Sequence, residues 1–196
     1  MSALFPVFLK LDGRRVLLVG GGRVASEKLR ALVEAGARVT VVAPSIADEI
    51  AAMPVGIARR PFAPQDLDGV WFVVAAATPD VNREVAFCAE QRGIFVNAVD
   101  DIRNASAYLG GVLRRDGVTV AVSTDGAAPA LAGLLREGLD ALLPRDLDAW
   151  VSCAVDTRAQ WLADGVPMPQ RRPLLLDALV SLYAARRRST AEGAGV

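Results

Sequence analysis

The chain contains no histidine among its 196 residues, which removes the commonest general base near neutral pH and the commonest metal ligand. Any proton transfer falls to carboxylates, lysine, hydroxyls or a bound cofactor. Cysteine is scarce: Cys88 and Cys153 lie far apart and form no CxxC pair, which argues against a disulfide scaffold or structural zinc site and fits reduced thiols in a cytoplasmic protein. Neither sign of charge is in excess, with 22 basic and 22 acidic side chains. No overall field therefore recruits nucleic acid or an anionic membrane, and an acidic ligand has to be met by a local cluster. Long apolar runs are missing too. The opening residues have no basic leader before a short apolar stretch, and Asp12 soon follows, which reads as neither a signal peptide nor a membrane span. No repeat at solenoid spacing is found. What the chain does have is 53% hydrophobic residues, over a length that suits one or two domains with a sizeable core.

The stretch Val16-Leu17-Leu18-Val19-Gly20-Gly21-Gly22-Arg23-Val24-Ala25 organises the rest. Four apolar residues between Arg15 and Gly20 suit a strand buried on both faces, and Ser26 onward resumes at helical spacing. Gly20-x-Gly22-x-x-Ala25 is thus a dinucleotide fingerprint in a strand-to-helix setting. Gly20 permits the tight turn, Gly22 lets a pyrophosphate approach the backbone, and Ala25 allows close helix packing. N–H groups at the helix start face the anion. The helix is expected over residues 24–35, ending at Gly36, and a second buried strand over 38–43 completes a β-α-β unit. Folds of this kind usually place an acid about 20 residues beyond the glycines to hold the ribose hydroxyls. Here Ala43-Pro44-Ser45 stands there, with no Arg immediately after the strand, so backbone groups or the Ser45 hydroxyl take that role and the sequence alone leaves NAD and NADP open.

A short helix over 46–53, a third strand over 55–59, a turn over 63–67, a fourth strand over 69–78 and a helix over 80–92 follow. Ala76, Ala77 and Thr78 end the fourth strand, where ligands lie in open parallel sheets. A fifth strand over 94–99 delivers Asp100 and Asp101 to the same end. Asp101 reads as a turn or cap residue; Asp100, without histidine, is the best available acid/base. The rhythm then changes to a hairpin, with strands over 108–114 and 118–123 around Arg115-Asp116-Gly117. Ser123-Thr124-Asp125-Gly126 opens a helix with Leu131, Leu134, Leu135, Leu139 and Leu142 at helical spacing, a face a second copy of the chain can cover. Two further helical segments, over 147–163 and 174–188, flank a proline-rich joint. Arg186-Arg187-Arg188 and the tail beyond read as a frayed, solvated terminus, and the 5–11 leader as packed on the sheet edge.

These motifs resemble the precorrin-2 dehydrogenase and sirohydrochlorin ferrochelatase family, the module at the front of sirohaem synthases, from Phe5 to Pro144. The resemblance is carried by Phe5-Pro6-Val7-Phe8, the glycine turn with Lys28, Ala76-Ala77-Thr78, Asn97-Ala98-Val99-Asp100-Asp101, and Val122-Ser123-Thr124 with Pro129-Ala130-Leu131-Ala132 and Leu135-Arg136. It implies an α/β architecture: a Rossmann-like parallel-sheet domain over 1–102, a β-hairpin/helix dimerisation region over 103–144, and a small helical domain over 145–196, with no methyltransferase domain following. It implies NAD-dependent oxidation of precorrin-2 to sirohydrochlorin, with insertion of ferrous iron in many members, by a cytoplasmic homodimer. The cofactor is then expected against Gly20, Gly21, Gly22, Arg23 and Val24, against Ala43, Pro44 and Ser45, and against Ala76, Ala77, Thr78 and Asn97. Asp100 is the implied acid/base. Ser123 and Thr124 match a hydroxyl pair at the substrate cleft, equally suited to hydrogen bonding at a helix start. Arg114 and Arg136, with Arg103 and Arg115, offer guanidinium forks for the substrate's carboxylates. No metal-ligating residues are expected, since the tetrapyrrole nitrogens can supply the ligands. The chain has Ile102, Ala107, Gly110, Asp125 and Ala128 where the family commonly has Pro, Phe, Pro, Gly and Ser, all around the expected cleft and none in the nucleotide half. Two other readings stay open: a dehydrogenase of another tetrapyrrole or small substrate, and a non-enzymatic NAD-binding regulatory module.

Overall fold

A computed structural model describes residues 3–193, with side chains as far as Tyr183. The side chains of Arg186, Arg187 and Arg188, and the tail beyond 193, lie outside the described residues. Five short strands, β1 (Arg15–Val19), β2 (Arg38–Val42), β3 (Gly56–Ala58), β4 (Phe72–Ala75) and β5 (Phe95–Ala98), form one sheet in the order β3-β2-β1-β4-β5. Every neighbouring pair is parallel. The chain therefore reverses its direction of travel across the sheet between β1 and β4, and the carboxyl ends of these two strands flank the crevice where open α/β sheets bind ligands.

The sheet is covered on both faces, and β1 shows how. Val16 and Leu18 join a core with Ala25, Leu29 and Leu32 of α1 (Arg23–Glu34) and Ile50 of α2 (Asp48–Ala51). Leu17 and Val19 join another with Val85, Ala86 and Ala89 of α3 (Pro79–Glu90). All four β1 residues are at most 2% exposed, which explains a continuous apolar run in place of alternation. Losing one such side chain, as in Leu18→Ala, costs about 2–5 kcal/mol.

The elements are shorter than the apolar runs suggest, because β4 pairs only where β1 and β5 flank it, over Phe72–Ala75. The segment over 63–67 is a 3₁₀ turn, Pro64–Leu67. The leader departs from expectation outright. It forms no strand, Phe5 is 87% and Phe8 73% exposed, and only Leu11 is buried. Topology gives the reason: the leader feeds β1, the central strand, through a turn in which Arg14 N–H donates to the Leu11 carbonyl. It enters at the middle of the sheet, away from the edges at β3 and β5.

The described chain divides into two compact units. The first holds the parallel sheet, up to Gly110, together with Ser123–Leu131. The second holds Gly111–Val122 and the chain from Ala132 onward. In the second, β6 (Gly111–Arg115) pairs antiparallel with β7 (Val118–Val122). Asp116 and Gly117, at φ 50° and 81°, make the two-residue left-handed turn that matches strand twist. The hairpin starts three residues later than the sequence pattern indicated. Gly111 backs onto α4 (Pro129–Leu142) so closely that a Cβ there would lie 2.9 Å from the Ala132 carbonyl. Arg115 fastens the other end: Nη1 donates to the carbonyl and Oδ1 of Asp140, and Nη2 to the Pro144 carbonyl at 2.9 Å. Helix α5 covers Leu147–Ala163 as expected, whereas α6 (Met168–Gly193) begins six residues early. Pro169 sits in its first turn, where no intrahelical N–H is needed, and Pro173 is accommodated within the helix. Among the described residues no helix is long and apolar enough to cross a membrane.

Candidate functional site

The glycine turn closes β1 against both of its neighbours. Gly20 has φ +130°, and its N–H donates to the Val42 carbonyl at 3.0 Å. A Cβ on Gly20 would fall 2.2 Å from the Ala76 carbonyl oxygen, and one on Gly21 would fall 2.0 Å from the Ser45 carbonyl oxygen. These two glycines therefore let β4 and the loop after β2 approach. Gly22 differs: a Cβ there would meet nothing within 4 Å. It is the N-cap of α1, with extended backbone and no side-chain hydrogen bond to cap the helix start. An orphaned helix start with free room above a glycine fits a pyrophosphate. Ala25 is fully buried against the sheet, Arg23 points into solvent toward Glu27, and Val24 is 39% exposed. After β2, Ala43 is buried while Pro44 and Ser45 are exposed.

Across the crevice, Ala76 is half-buried and its N–H donates to the Val19 carbonyl at 2.8 Å, while Ala77 and Thr78 are exposed. Their placement depends on a residue that sequence reading passed over. Asn82, 3% exposed, accepts the Ala77 N–H on Oδ1 at 2.9 Å and donates from Nδ2 to the Val99 carbonyl at 3.4 Å. One amide thus ties the end of β4 to the end of β5. Its signal was available, since Asn82 shares a helix face with Val85, Ala86 and Ala89 and is the polar member of a buried stripe.

Asp100 lies two residues beyond the Ala75–Ala98 pair that closes the β4–β5 ladder, in the turn that follows β5. It adopts φ 57°, a left-handed conformation Asp tolerates better than most residues, and is exposed. Among the described residues no hydrogen bond or ion pair engages its carboxylate. Asp101 does the opposite: Oδ2 accepts from Asn104 Nδ2 at 2.6 Å and Oδ1 from the Asn104 N–H at 3.3 Å, closing a turn. Asn97 is 7% exposed and donates from Nδ2 to the Ala107 carbonyl at 2.9 Å, holding the segment after Asp100 along β5.

That segment receives the loop before α4. Gly126, φ +76°, faces Ile102 so closely that a Cβ would lie 2.9 Å from Ile102 Cγ1. Tyr108 reaches from the same side and donates its hydroxyl to the Ile102 carbonyl at 3.1 Å. Ser123 Oγ accepts the Asp125 N–H and Thr124 Oγ1 the Ala128 N–H, both at 3.1 Å. The hydroxyls thus shape the loop, and each keeps its own O–H to donate. The structure gathers the glycine turn, the β4 end, Asp100 and the Ser123-Thr124 loop in the first unit. Arg114, exposed on β6, and Arg136 on α4, which donates to Glu137 at 3.0 Å, belong to the second. Among the described residues no three His, Cys, Asp or Glu converge to hold a metal. Hydrogen bonds from the Arg60 guanidinium, then from the Ala63 N–H, hold the Asp66 carboxyl below the ordinary carboxylate range.

A family described as "Putative NAD(P)-binding" matches residues 7–111, the parallel sheet and its glycine turn. Siroheme synthase 1 of Aeromonas salmonicida is 44% identical over 172 residues, covering 85% of this chain and 37% of that protein. Siroheme synthase of Photorhabdus laumondii is 42% identical over 185 residues, covering 91% of this chain and 39% of that protein. The chain thus spans less than two fifths of the length of these relatives. A solved structure of SirC, precorrin-2 dehydrogenase, superposes with a TM-score of 0.71 at 27% identity, covering 89% of this chain and 88% of that one.

Proposed function

That the chain belongs to this NAD(P)-binding family is the premise from which we propose its activity: oxidation of precorrin-2 to sirohydrochlorin with NAD as acceptor. The observation that carries the proposal is the unpaired carboxylate of Asp100 just beyond β5, at the carboxyl edge of the sheet that also carries the end of β4 and the amino terminus of α1. Similarity to the siroheme synthases and to SirC gives the substrate class.

Bound NAD supplies the hydride acceptor. This chain's residues do the rest. The N–H groups beyond Gly22 and the positive end of α1 bind the pyrophosphate. Asp100 takes the proton released as the tetrapyrrole is oxidised, the role a carboxylate assumes in a chain without histidine. Ser123 and Thr124 present hydroxyl donors to the substrate, and Arg114 and Arg136 suit its carboxylates. In this reading the same Asp100 carboxylate assists loss of the two pyrrole protons when ferrous iron enters as substrate. The reading includes a homodimer through the α4 face, where Leu134 is 64% and Leu142 80% exposed, and a cytoplasmic location. It assigns the sheet domain to 1–102, the dimerisation region to 103–144 and the helical domain to 145–196.

The test is an anaerobic assay of precorrin-2 and NAD, following NADH and sirohydrochlorin by absorbance, then adding ferrous ion. Asp100→Asn keeps a residue tolerant of the left-handed backbone and is expected to slow oxidation by about 10²–10⁴-fold with NAD affinity unchanged. Full activity in that variant would remove Asp100 as the base, and NAD binding without turnover in the unaltered chain would overturn the reaction.

A further inference from the structure

Beyond the carboxyl end of β2, where the adenosine ribose lies on the dinucleotide reading, the chain lacks the usual acid, and Ala43-Pro44-Ser45 fills the place. The loop is pinned there. The Ser45 carbonyl closes on Gly21, and Ala47 N–H donates to the Gly21 carbonyl at 2.9 Å. The neighbouring strand supplies different chemistry. In the β2–β3 pair Val42 stands opposite Ala58, and the Ala43 N–H continues the ladder to the Ala58 carbonyl at 3.2 Å. Arg59, the next residue, therefore lies alongside Ala43 at the same edge of the sheet.

Ala58 packs on the core shared with α3, and its carbonyl also accepts the Arg60 N–H at 3.0 Å, so the chain turns at Arg59 as it leaves the strand end. Arg60 is engaged elsewhere, on both carboxylate oxygens of Asp66 and on the Pro61 carbonyl. Glu49, the acid that reaches back to α1, accepts from Ser26 Oγ and Arg30 Nη2, each at 3.0 Å. Arg59 is exposed, and among the described residues no hydrogen bond or ion pair engages its guanidinium. A free guanidinium fork at this strand end, with no ribose-binding acid to repel a phosphate, is built to accept a 2′-phosphate.

We propose that Arg59 is a specificity-determining residue at the adenosine end and that it admits the 2′-phosphorylated cofactor NADP as well as NAD; this rests on the dinucleotide reading above. The test is calorimetric titration of the full chain and of Arg59→Gln with adenosine 2′,5′-bisphosphate and with AMP, which differ only in the 2′-phosphate, so that no turnover is needed. The unaltered chain is expected to bind the bisphosphate at least as tightly as AMP, and Arg59→Gln to lose about tenfold on the bisphosphate with AMP affinity unchanged. Arg38→Gln, at the far end of β2, is expected to change neither affinity, which separates a local contact from general charge. AMP binding with the bisphosphate a hundredfold weaker, or an unchanged ratio in Arg59→Gln, overturns the proposal and leaves the dinucleotide reading standing. Binding of neither nucleotide overturns both.

Discussion

Gly20 and Gly22 stand two residues apart in one turn, yet the structure gives them opposite duties, and alanine at each separates fold from function. At Gly20 a Cβ meets two penalties. The backbone sits at φ +130°, a region close to glycine-only, which costs about 1–3 kcal/mol. The added atom also falls 2.2 Å from the Ala76 carbonyl oxygen, part of a backbone held by the β1–β4 ladder, and overpacking of this kind costs about 1–3 kcal/mol more. The sum, about 2–6 kcal/mol, is a large share of the roughly 5–15 kcal/mol by which a domain is stable. At about 2–4 °C per kcal/mol for a chain of this size, the middle of that range lowers Tm by about 12 °C. At Gly22 the backbone is extended, at φ −92° and ψ −169°, and nothing lies within 4 Å. Alanine there forfeits only the N-cap preference, about 0.5–1 kcal/mol. It does occupy the space a pyrophosphate needs, so NAD affinity should fall at least about tenfold, or about 1.4 kcal/mol. Calorimetry supplies both readouts, a melt of each variant and a titration with NAD. A Gly20→Ala protein that melts within a degree or two of the parent, or a Gly22→Ala protein that binds NAD normally, would refute the division of labour.

Asn82→Ala leaves the Ala77 N–H and the Val99 carbonyl without their partner and should destabilise by about 1–3 kcal/mol in urea unfolding; a change under 0.5 kcal/mol would show that water substitutes for the amide. Asp66 has its folded pKa depressed below the ordinary 3.8 by Arg60, so its contribution is complete above that value and is lost as pH falls through the folded pKa. Asp66→Asn should accordingly flatten the acid limb of a stability-against-pH curve below about pH 4, and a limb of unchanged slope would count against the clasp. On the proposed homodimer, Leu134→Asp, at an exposed position of α4, should shift sedimentation from dimer to monomer; a dimer that persists would move the interface elsewhere.

What the sequence made legible here is what depends on near neighbours along the chain. The β1 run, the glycine turn and the start of α1 sit within eleven residues and carry their own geometry. Asp116-Gly117 writes its turn in the same local way, because both residues tolerate positive φ. The leader failed for a topological reason: Phe5-Pro6-Val7-Phe8 is apolar enough to cover a sheet edge, but it enters at the central strand, a fact set by how β3 and β5 pair far downstream. Asn82 failed for a similar one, since its partners Ala77 and Val99 belong to two different strand ends and only the parallel β4–β5 pairing makes them a pair. Asp100 lies between these cases. Its place after an apolar run marked it, whereas its left-handed backbone does not follow from any local rule, because Asp is only permitted there, not required. The companion Asp101 shows what decides the matter. Of two adjacent carboxylates, Asn104 engages Asp101, and the unpaired one, Asp100, is the carboxylate to which the proposed function gives the proton. Chain spacing placed both acids after β5 and read Asp101 as a turn residue; the turn at 101–104 supplies the partner, Asn104, that the spacing could not name.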